Sequence, residues 1–458
     1  MGSCRACNGI GSHTRSIAVL LVVTLATVRA WAQPPIWMDS FQTAVRELRA
    51  GHFDDASARF NELGKSHKAD TQLLTSIGAA LDATSHHREA TAWYQRSLAI
   101  DPHYGPALND LGQNYLALGN LAAAAPVFET AIHADPSNWR AAYNLGVVEL
   151  RMRRYSDAAG VFGRVAKIAT DPAVIEQARI GEATALLNER QFRRAATVLS
   201  PNEHAPNLSH LLLLGTAEAL AGDLPTAIQV LQRAIERFPN DDRAYYRLAL
   251  VFSLGRRDQE AQDVLAAGLK TAPHSALLFY GQAVIAESTG LYDDAVRLAK
   301  ESIQQKAEQP DAWGLLGSAY VRLGKLDEAA GAFERAVQYG ADTHVRVNYA
   351  ECLLRMDRTD RAAEQLSELQ RHDPKNAEVL RGLGKLYRAK GDFAEAEPVL
   401  ERAVALDPND SEAHFVLAET LRHLGRVQSA KREYAEFQRT KNASRMVRQL
   451  ELASRPSD

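Results

Sequence analysis

A repeat of about 34 residues runs through nearly all of this chain of 458 residues. An internal repeat of this length is typical of arrays in which each unit is one small supersecondary element. Alignment on a recurring alanine gives twelve units, so little sequence remains for a separate catalytic domain. The units start near residues 37, 71, 105, 139, 176, 208, 242, 276, 310, 343, 377 and 411.

The spacing of apolar and small residues predicts two helices in each unit. The ninth unit has Trp313, Leu316-Gly317 and Tyr320, followed by Ala329 and Phe333. Apolar residues three or four apart favour amphipathic helices. We expect a glycine in the left-handed conformation at the end of many first helices, since glycine takes that conformation at little cost. The predicted positions are Gly51, Gly119, Gly222, Gly255, Gly290, Gly324, Gly391 and Gly425.

These spacings resemble those of the tetratricopeptide repeat (TPR) family. The resemblance implies an all-α fold, a right-handed superhelical solenoid of stacked antiparallel helix pairs, because one pair alone cannot bury its apolar face. We expect the solenoid over residues 33–444 and a capping helix and tail over 445–458. The fifth unit has Glu182-Ala183 in place of a Leu-Gly pair. The loop after it predicts an irregularity, or alternatively a hinge, near residues 200–207.

The N-terminus has the pattern of a secretory signal peptide. Residues 1–32 contain three arginines and no acid, then a twelve-residue apolar stretch, then Ala30-Trp31-Ala32. Cleavage after Ala32 would place the chain in the periplasm or outside the cell. The alternative is an uncleaved anchor, but twelve residues fall short of the roughly 20 that span a membrane. No later segment is long and apolar enough, so we expect no transmembrane segment in the mature chain.

No common catalytic motif is present in the sequence. A His-Glu-x-x-His motif, a phosphate-binding glycine loop and a Gly-x-Ser-x-Gly elbow are all absent. The pair His86-His87 is more typical of a solvated turn than of a metal site, and Cys352 of a small buried hydrophobe. The sequence therefore predicts no enzyme activity, no cofactor and no metal. The remaining catalytic alternative is a composite site of His344, Glu351 and His423.

The resemblance also implies where a partner binds. In the TPR family the inner surface is lined by positions 2, 5, 9, 12 and 13 of each first helix. Transferred to this chain, those positions give an apolar region and a basic region, which together suit a protein or peptide segment with apolar anchors and an acidic end. The alternative is that some of these side chains pack between repeats. The apolar region is Tyr143, Val147, Leu212, Tyr246, Leu250, Leu277, Tyr280 and Val284; the basic region is Arg355, Arg381, Lys385, Arg388 and Arg422.

The charge of the chain bears on the class of partner. The formal net charge is −3, and it becomes −6 once the three arginines of residues 1–32 are removed. Nucleic-acid binding is not expected, since it depends on positive charge. The sequence predicts a non-enzymatic scaffold that binds protein segments in an exported compartment. The alternative is an assembly or secretion factor of a cell-envelope or polysaccharide-export complex.

Overall fold

The computed structural model describes residues 35–68, 70–200 and 207–440. Every regular element within those residues is an α-helix, and the helices form twelve antiparallel pairs. This confirms the predicted all-α solenoid of helix pairs. Residues 1–34, with the predicted signal peptide, lie outside the described residues, as does the predicted capping helix at 445–458.

The helices form two compact units. The first contains α1 Met38–Arg49, α2 Phe53–Ser66, α3 Thr71–Ala83, α4 His87–Ile100, α5 Gly105–Ala117, α6 Leu121–Ala134, α7 Trp139–Arg151, α8 Tyr155–Ile168, α9 Pro172–Asn188 and α10 Phe192–Leu199.

The second unit contains α11 Leu208–Ala221, α12 Leu224–Arg237, α13 Asp242–Leu254, α14 Asp258–Thr271, α15 Ala276–Ser288, α16 Tyr292–Gln305, α17 Pro310–Arg322, α18 Leu326–Gln338, α19 Thr343–Arg355, α20 Thr359–His372, α21 Ala377–Lys390, α22 Phe393–Leu406, α23 Ser411–His423 and α24 Val427–Thr440. Residues 201–206 lie outside the described part, so the predicted hinge remains a prediction.

The turn inside each pair uses a left-handed residue at the fifteenth position of the unit. Seven of the eight predicted glycines have the left-handed conformation. Gly255 does not, and its neighbour Arg256 takes that conformation instead, with φ of 59°. The prediction was wrong at Gly255 because the turn lies one residue further along the chain. The other units without a glycine there use Ser85, Arg153, Arg190 and Asp357.

Glycines at the eighth position let the two helices of a pair approach closely. A Cβ atom added to Gly146 would lie 2.9 Å from the ring of Phe162, and one added to Gly317 would lie 2.8 Å from the ring of Phe333. Ordinary carbon–carbon contacts need about 3.5–4 Å. The glycine and the large residue facing it therefore fix the spacing within a pair.

The fifth pair departs from the regular pattern. Helix α9 begins at Pro172, four residues before the predicted start of its unit, and α10 has only eight residues. This extra turn explains why the fifth unit starts more than 34 residues after the fourth, at residue 176 instead of near 173. Gly181 lies against Phe162 of the preceding pair, where a Cβ atom would be 2.8 Å from the ring. This contact is in addition to the one between Phe162 and Gly146 of its own pair.

First helices of successive pairs contact one another within each unit, as α13 contacts α15 and α19 contacts α21. Successive second helices make at most isolated contacts in the described residues. The first helices therefore form what we call the inner wall of each unit, and the second helices form the outer wall. In the same described part, no helix is long and apolar enough to cross a membrane.

Candidate functional site

The inner wall of the second unit begins with an apolar region that is mostly enclosed. Leu212, Leu250 and Val284 are buried in the core of this unit, Leu250 completely. We predicted that these three residues contact a partner, and their burial corrects that prediction. Neighbouring first helices approach so closely at these positions that the side chains fill the space between them.

Two tyrosines lie one pair apart in the same region. Tyr246 is buried, whereas Tyr280 is half-buried, and their ring centroids are 6.1 Å apart at an interplanar angle of 44°. Burial, with a further effect of Asp311, raises the pKa of Tyr246 above its ordinary value. Tyr280 therefore rests on a fixed aromatic ring and is itself only partly buried, as is Leu277 one helical turn before it.

The two predicted residues of the first unit lie on α7. Tyr143 and Val147 are half-buried. The ring of Tyr143 meets that of Phe162 edge-on, with centroids 5.4 Å apart. Part of the Tyr143 ring is thus used in packing between α7 and α8.

The charged region of the second unit is organised around Arg381. Its side chain is only 7% exposed, and its Nη1 donates to Asp410 Oδ2 at 2.6 Å. Its Nε lies 3.7 Å from Glu351 and 3.5 Å from Glu412. The other oxygen of Asp410 accepts from the backbone N–H groups of Glu412 and Ala413, as the N-cap of α23. Arg381 therefore connects α19, α21 and the start of α23.

Lys385 completes this network. Its Nζ lies 2.7 Å from Glu351 and 2.5 Å from Glu412. We call Glu351, Arg381, Lys385, Asp410 and Glu412 the inner-wall ion network. Because its two cations are bound by three carboxylates, Arg381 and Lys385 are not available as free cations for an acidic partner, contrary to the prediction.

The pKa shifts agree with this pairing. Burial alone would lower the pKa of Arg381, but Asp410, Glu412 and Glu351 outweigh it and raise the pKa. Burial alone would raise the pKa of Glu412, but Lys385 and Arg381 outweigh it and lower the pKa. The pairing therefore favours the charged forms of Arg381 and Glu412.

The remaining predicted cations differ in their partners. Arg422 is exposed and pairs with Glu419 at 2.8 Å. Arg388 is half-buried and donates to Thr420 Oγ1 at 3.1 Å, and burial lowers its pKa. Arg355 is exposed and forms no ion pair within the described residues. Arg355 and Arg388 are thus the predicted cations not directly paired with a carboxylate in that part of the chain.

Sequence reasoning placed Glu412 and Glu419 among these cations but did not predict that carboxylates pair with the cations. The carboxylates of this region are Glu351, Glu378, Asp410, Glu412 and Glu419. A usable signal was present, since opposite charges occupy the ninth position of successive units at Glu351 and Lys385. Comparing equivalent positions across neighbouring units would have predicted the pairing.

The residues of the catalytic alternative have separate partners. His344 lies 3.6 Å from Glu378, Glu351 pairs with Lys385, and His423 stacks on Phe393 with centroids 4.4 Å apart. The described residues contain no group of three or more His, Cys, Asp or Glu side chains placed to hold a metal ion.

The other residues considered for chemistry have structural contacts. His86 stacks on Phe53 with centroids 4.4 Å apart, and His87 pairs with Asp82. Cys352 is a buried free thiol, as predicted, and burial raises its pKa.

Comparison with known families identifies the repeat. Tetratricopeptide repeat profiles match residues 109–173, 209–251, 254–310 and 381–442, and the cytochrome c-type biogenesis protein H TPR domain matches residues 298–397. The chain belongs to the tetratricopeptide repeat family. The shared feature is the helix pair seen throughout the described residues.

Two of the relatives of this TPR protein are operon C proteins of cellulose synthase. It is 21% identical over 407 residues to cellulose synthase operon protein C of Pseudomonas fluorescens (strain SBW25), which covers 85% of this chain and 30% of that protein. It is 27% identical over 375 residues to cellulose synthase 2 operon protein C of Komagataeibacter xylinus, covering 74% of this chain and 26% of that protein. The chain thus spans less than a third of either.

Among solved structures, yeast Tom70 matches with a TM-score of 0.45 and 18% identity, over 91% of this chain and 95% of that chain.

Proposed function

We propose that this TPR protein is a non-enzymatic scaffold that binds protein segments on the inner wall of its second unit. The observation that carries the proposal is the half-buried Tyr280, which rests on Tyr246 and lies beside Leu277. Exposed aromatic side chains held in place by their neighbours are frequent anchors of protein interfaces. The repeats that run through nearly all of this sequence, without a common catalytic motif, support the non-enzymatic assignment.

The proposed partner segment has an apolar side chain for Tyr280 and an acidic group further along. Arg355 and Arg388 are the residues proposed to meet that acid, since neither is paired with a carboxylate among the described residues. Arg side chains bind carboxylates through two parallel hydrogen bonds. Arg381 and Lys385 take the different role of holding the first helices in place.

A crosslinking pull-down from the native source tests this assignment. The test variant combines Tyr280→Ala with Arg355→Glu, and the control combines Tyr339→Ala with Arg233→Glu, two exposed positions outside the inner wall. A specific partner captured by the parent and the control but lost from the test variant supports the proposal. Capture by all three forms overturns it, and so does the absence of any specific partner.

We also propose that the protein works in an exported compartment. The support is the pattern of residues 1–32, with basic residues, a short apolar stretch and a small-residue cleavage site. N-terminal sequencing of the protein purified from its native source is the test. A first residue of Gln33 is expected, and an intact N-terminal segment would contradict cleavage.

A second candidate function is assembly of a cell-envelope or polysaccharide-export complex. It is favoured by the similarity to two proteins described as cellulose synthase operon protein C. Sedimentation of native extracts distinguishes the two candidates. Comigration with a membrane complex that survives mild detergent supports the assembly role, and a protein found only as a free species argues against it.

A further inference from the structure

A pocket opens on the outer wall of the second unit, between α16, α17 and α18. Its volume is about 360 Å³. The side chains of Ile303, Trp313, Leu316 and Tyr320 form its floor, and Lys300 and Arg335 lie at its rim. Two of the three helices, α16 and α18, are second helices of the outer wall, and the first helix α17 contributes Trp313, Leu316 and Tyr320. None of the lining residues is among the inner-wall residues named above.

The floor of the pocket is fixed before any ligand arrives. Trp313 Nε1 donates to the backbone oxygen of Ala307 at 2.8 Å, Leu316 is buried, and Lys300 Nζ lies 5.7 Å from the ring centroid of Tyr320. Rigid aromatic and aliphatic surfaces lose little conformational entropy on binding. The pocket is therefore preorganised to bind an apolar group.

Gly331 forms part of the pocket wall without a packing reason to be glycine. It lies within α18, and a Cβ atom added there would meet no atom within 4 Å. A glycine inside a helix costs about 1 kcal/mol relative to alanine. Gly146 and Gly317, in contrast, are required by the large side chains against them. The lack of a side chain at Gly331 leaves the pocket open.

The charges at the rim indicate the chemistry of the occupant. Lys300 and Arg335 are exposed, and neither pairs with a carboxylate among the residues of the described ranges. Arg335 Nη1 donates a hydrogen bond to Gln338 Oε1 at 3.3 Å. The single carboxylate in the lining is Glu328. Two cations against one acid favour an occupant that carries negative charge beside its apolar group.

We propose that this pocket docks a protein segment in which one bulky apolar side chain is flanked by carboxylates. The apolar side chain lies on Trp313 and Tyr320, and the carboxylates meet Lys300 and Arg335. The volume is at the lower end of the roughly 300–1,000 Å³ of ligand pockets, which suits one anchoring side chain and not a large cofactor. The protein would then bind partners on two walls independently.

Selection from a random dodecapeptide phage library on the full chain is the test. The variant Gly331→Leu fills the pocket, and we expect its fold to be retained because leucine favours a helix more than glycine does. The matched control is Gly160→Leu, at the equivalent position of α8, where an added Cβ also meets no atom within 4 Å. Circular dichroism melting checks that all variants remain folded.

The expected result is a set of peptides with an aromatic or leucine residue beside Asp or Glu. Their affinity should fall by about tenfold or more with Gly331→Leu, as when an interface anchor is excluded, and should be unchanged with Gly160→Leu. The double variant Lys300→Glu with Arg335→Glu should select Lys or Arg in the flanking positions.

Three outcomes overturn the proposal: no peptide sensitive to Gly331→Leu, selected peptides without an apolar residue, or no change of flanking charge with the double variant. Peptides that bind the inner wall are insensitive to Gly331→Leu but sensitive to Tyr280→Ala. Failure of the pocket proposal is therefore distinguishable from failure of the proposed function.

Discussion

Replacing Arg381 by alanine tests whether the inner-wall ion network holds the second unit together. The Arg381 side chain is 7% exposed, and its closest partner Asp410 is 10% exposed. Removal of one partner of a buried ion pair typically costs about 3–5 kcal/mol, since the other charge is left buried and unpaired. Lys385 still pairs with both Glu351 and Glu412 in the variant. We therefore expect the lower end of that range, about 3 kcal/mol.

Amide hydrogen exchange of the full chain, read by mass spectrometry, is the suitable assay, because long repeat arrays do not unfold in one step. A loss of about 3 kcal/mol in local stability should speed exchange in α19, α21 and α23 by roughly a hundredfold. The control is Arg422→Ala, whose side chain is 57% exposed and pairs with Glu419 at the surface. Such a pair contributes about 1 kcal/mol or less, so exchange should rise by no more than about fivefold.

Equal and small effects of Arg381→Ala and Arg422→Ala would refute the structural role of the network. Salt gives a second readout, since surface pairs are screened much more than buried ones. The result also decides how binding data are interpreted. If Arg381→Ala loosens three helices, loss of a partner in that variant reports damage to the wall and not a missing contact.

Three further predictions concern stability. Arg256→Gly relieves a left-handed residue and should stabilise its pair by about 0.5–1 kcal/mol; a lower midpoint of thermal unfolding would contradict this. Gly146→Ala should destabilise by about 1–3 kcal/mol through contact with Phe162, measured by urea unfolding beside the open-site control Gly160→Ala, and equal effects would count against the packing argument. Burial, with Asp82 adding to it, raises the pKa of Asp110 to about 7. The folded state therefore keeps a proton that the unfolded state releases, and stability should fall as pH rises from about 4 to about 7; Asp110→Asn should remove this pH dependence, and an unchanged urea midpoint profile would exclude Asp110 as its source.

The sequence by itself determined the repeat, the number of helix pairs and most of their internal turns. These features depend on contacts within about 34 residues, such as Gly317 against Phe333, so the pattern of one unit contains both partners. Even the exception at Gly255 is local, because the left-handed residue moved by only one position to Arg256. The buried state of Cys352 was also predictable from its place in the helix pattern.

Only the tertiary structure decided which inner-wall residues can meet a partner. Leu250 is enclosed while Tyr280 is partly exposed, although both were assigned to the same surface. Arg381 is neutralised by carboxylates from helices on either side of it. The pocket beside Gly331 likewise forms from three helices of two successive pairs. Exposure and pairing depend on how closely neighbouring pairs approach, and a repeat pattern read one unit at a time does not contain that distance.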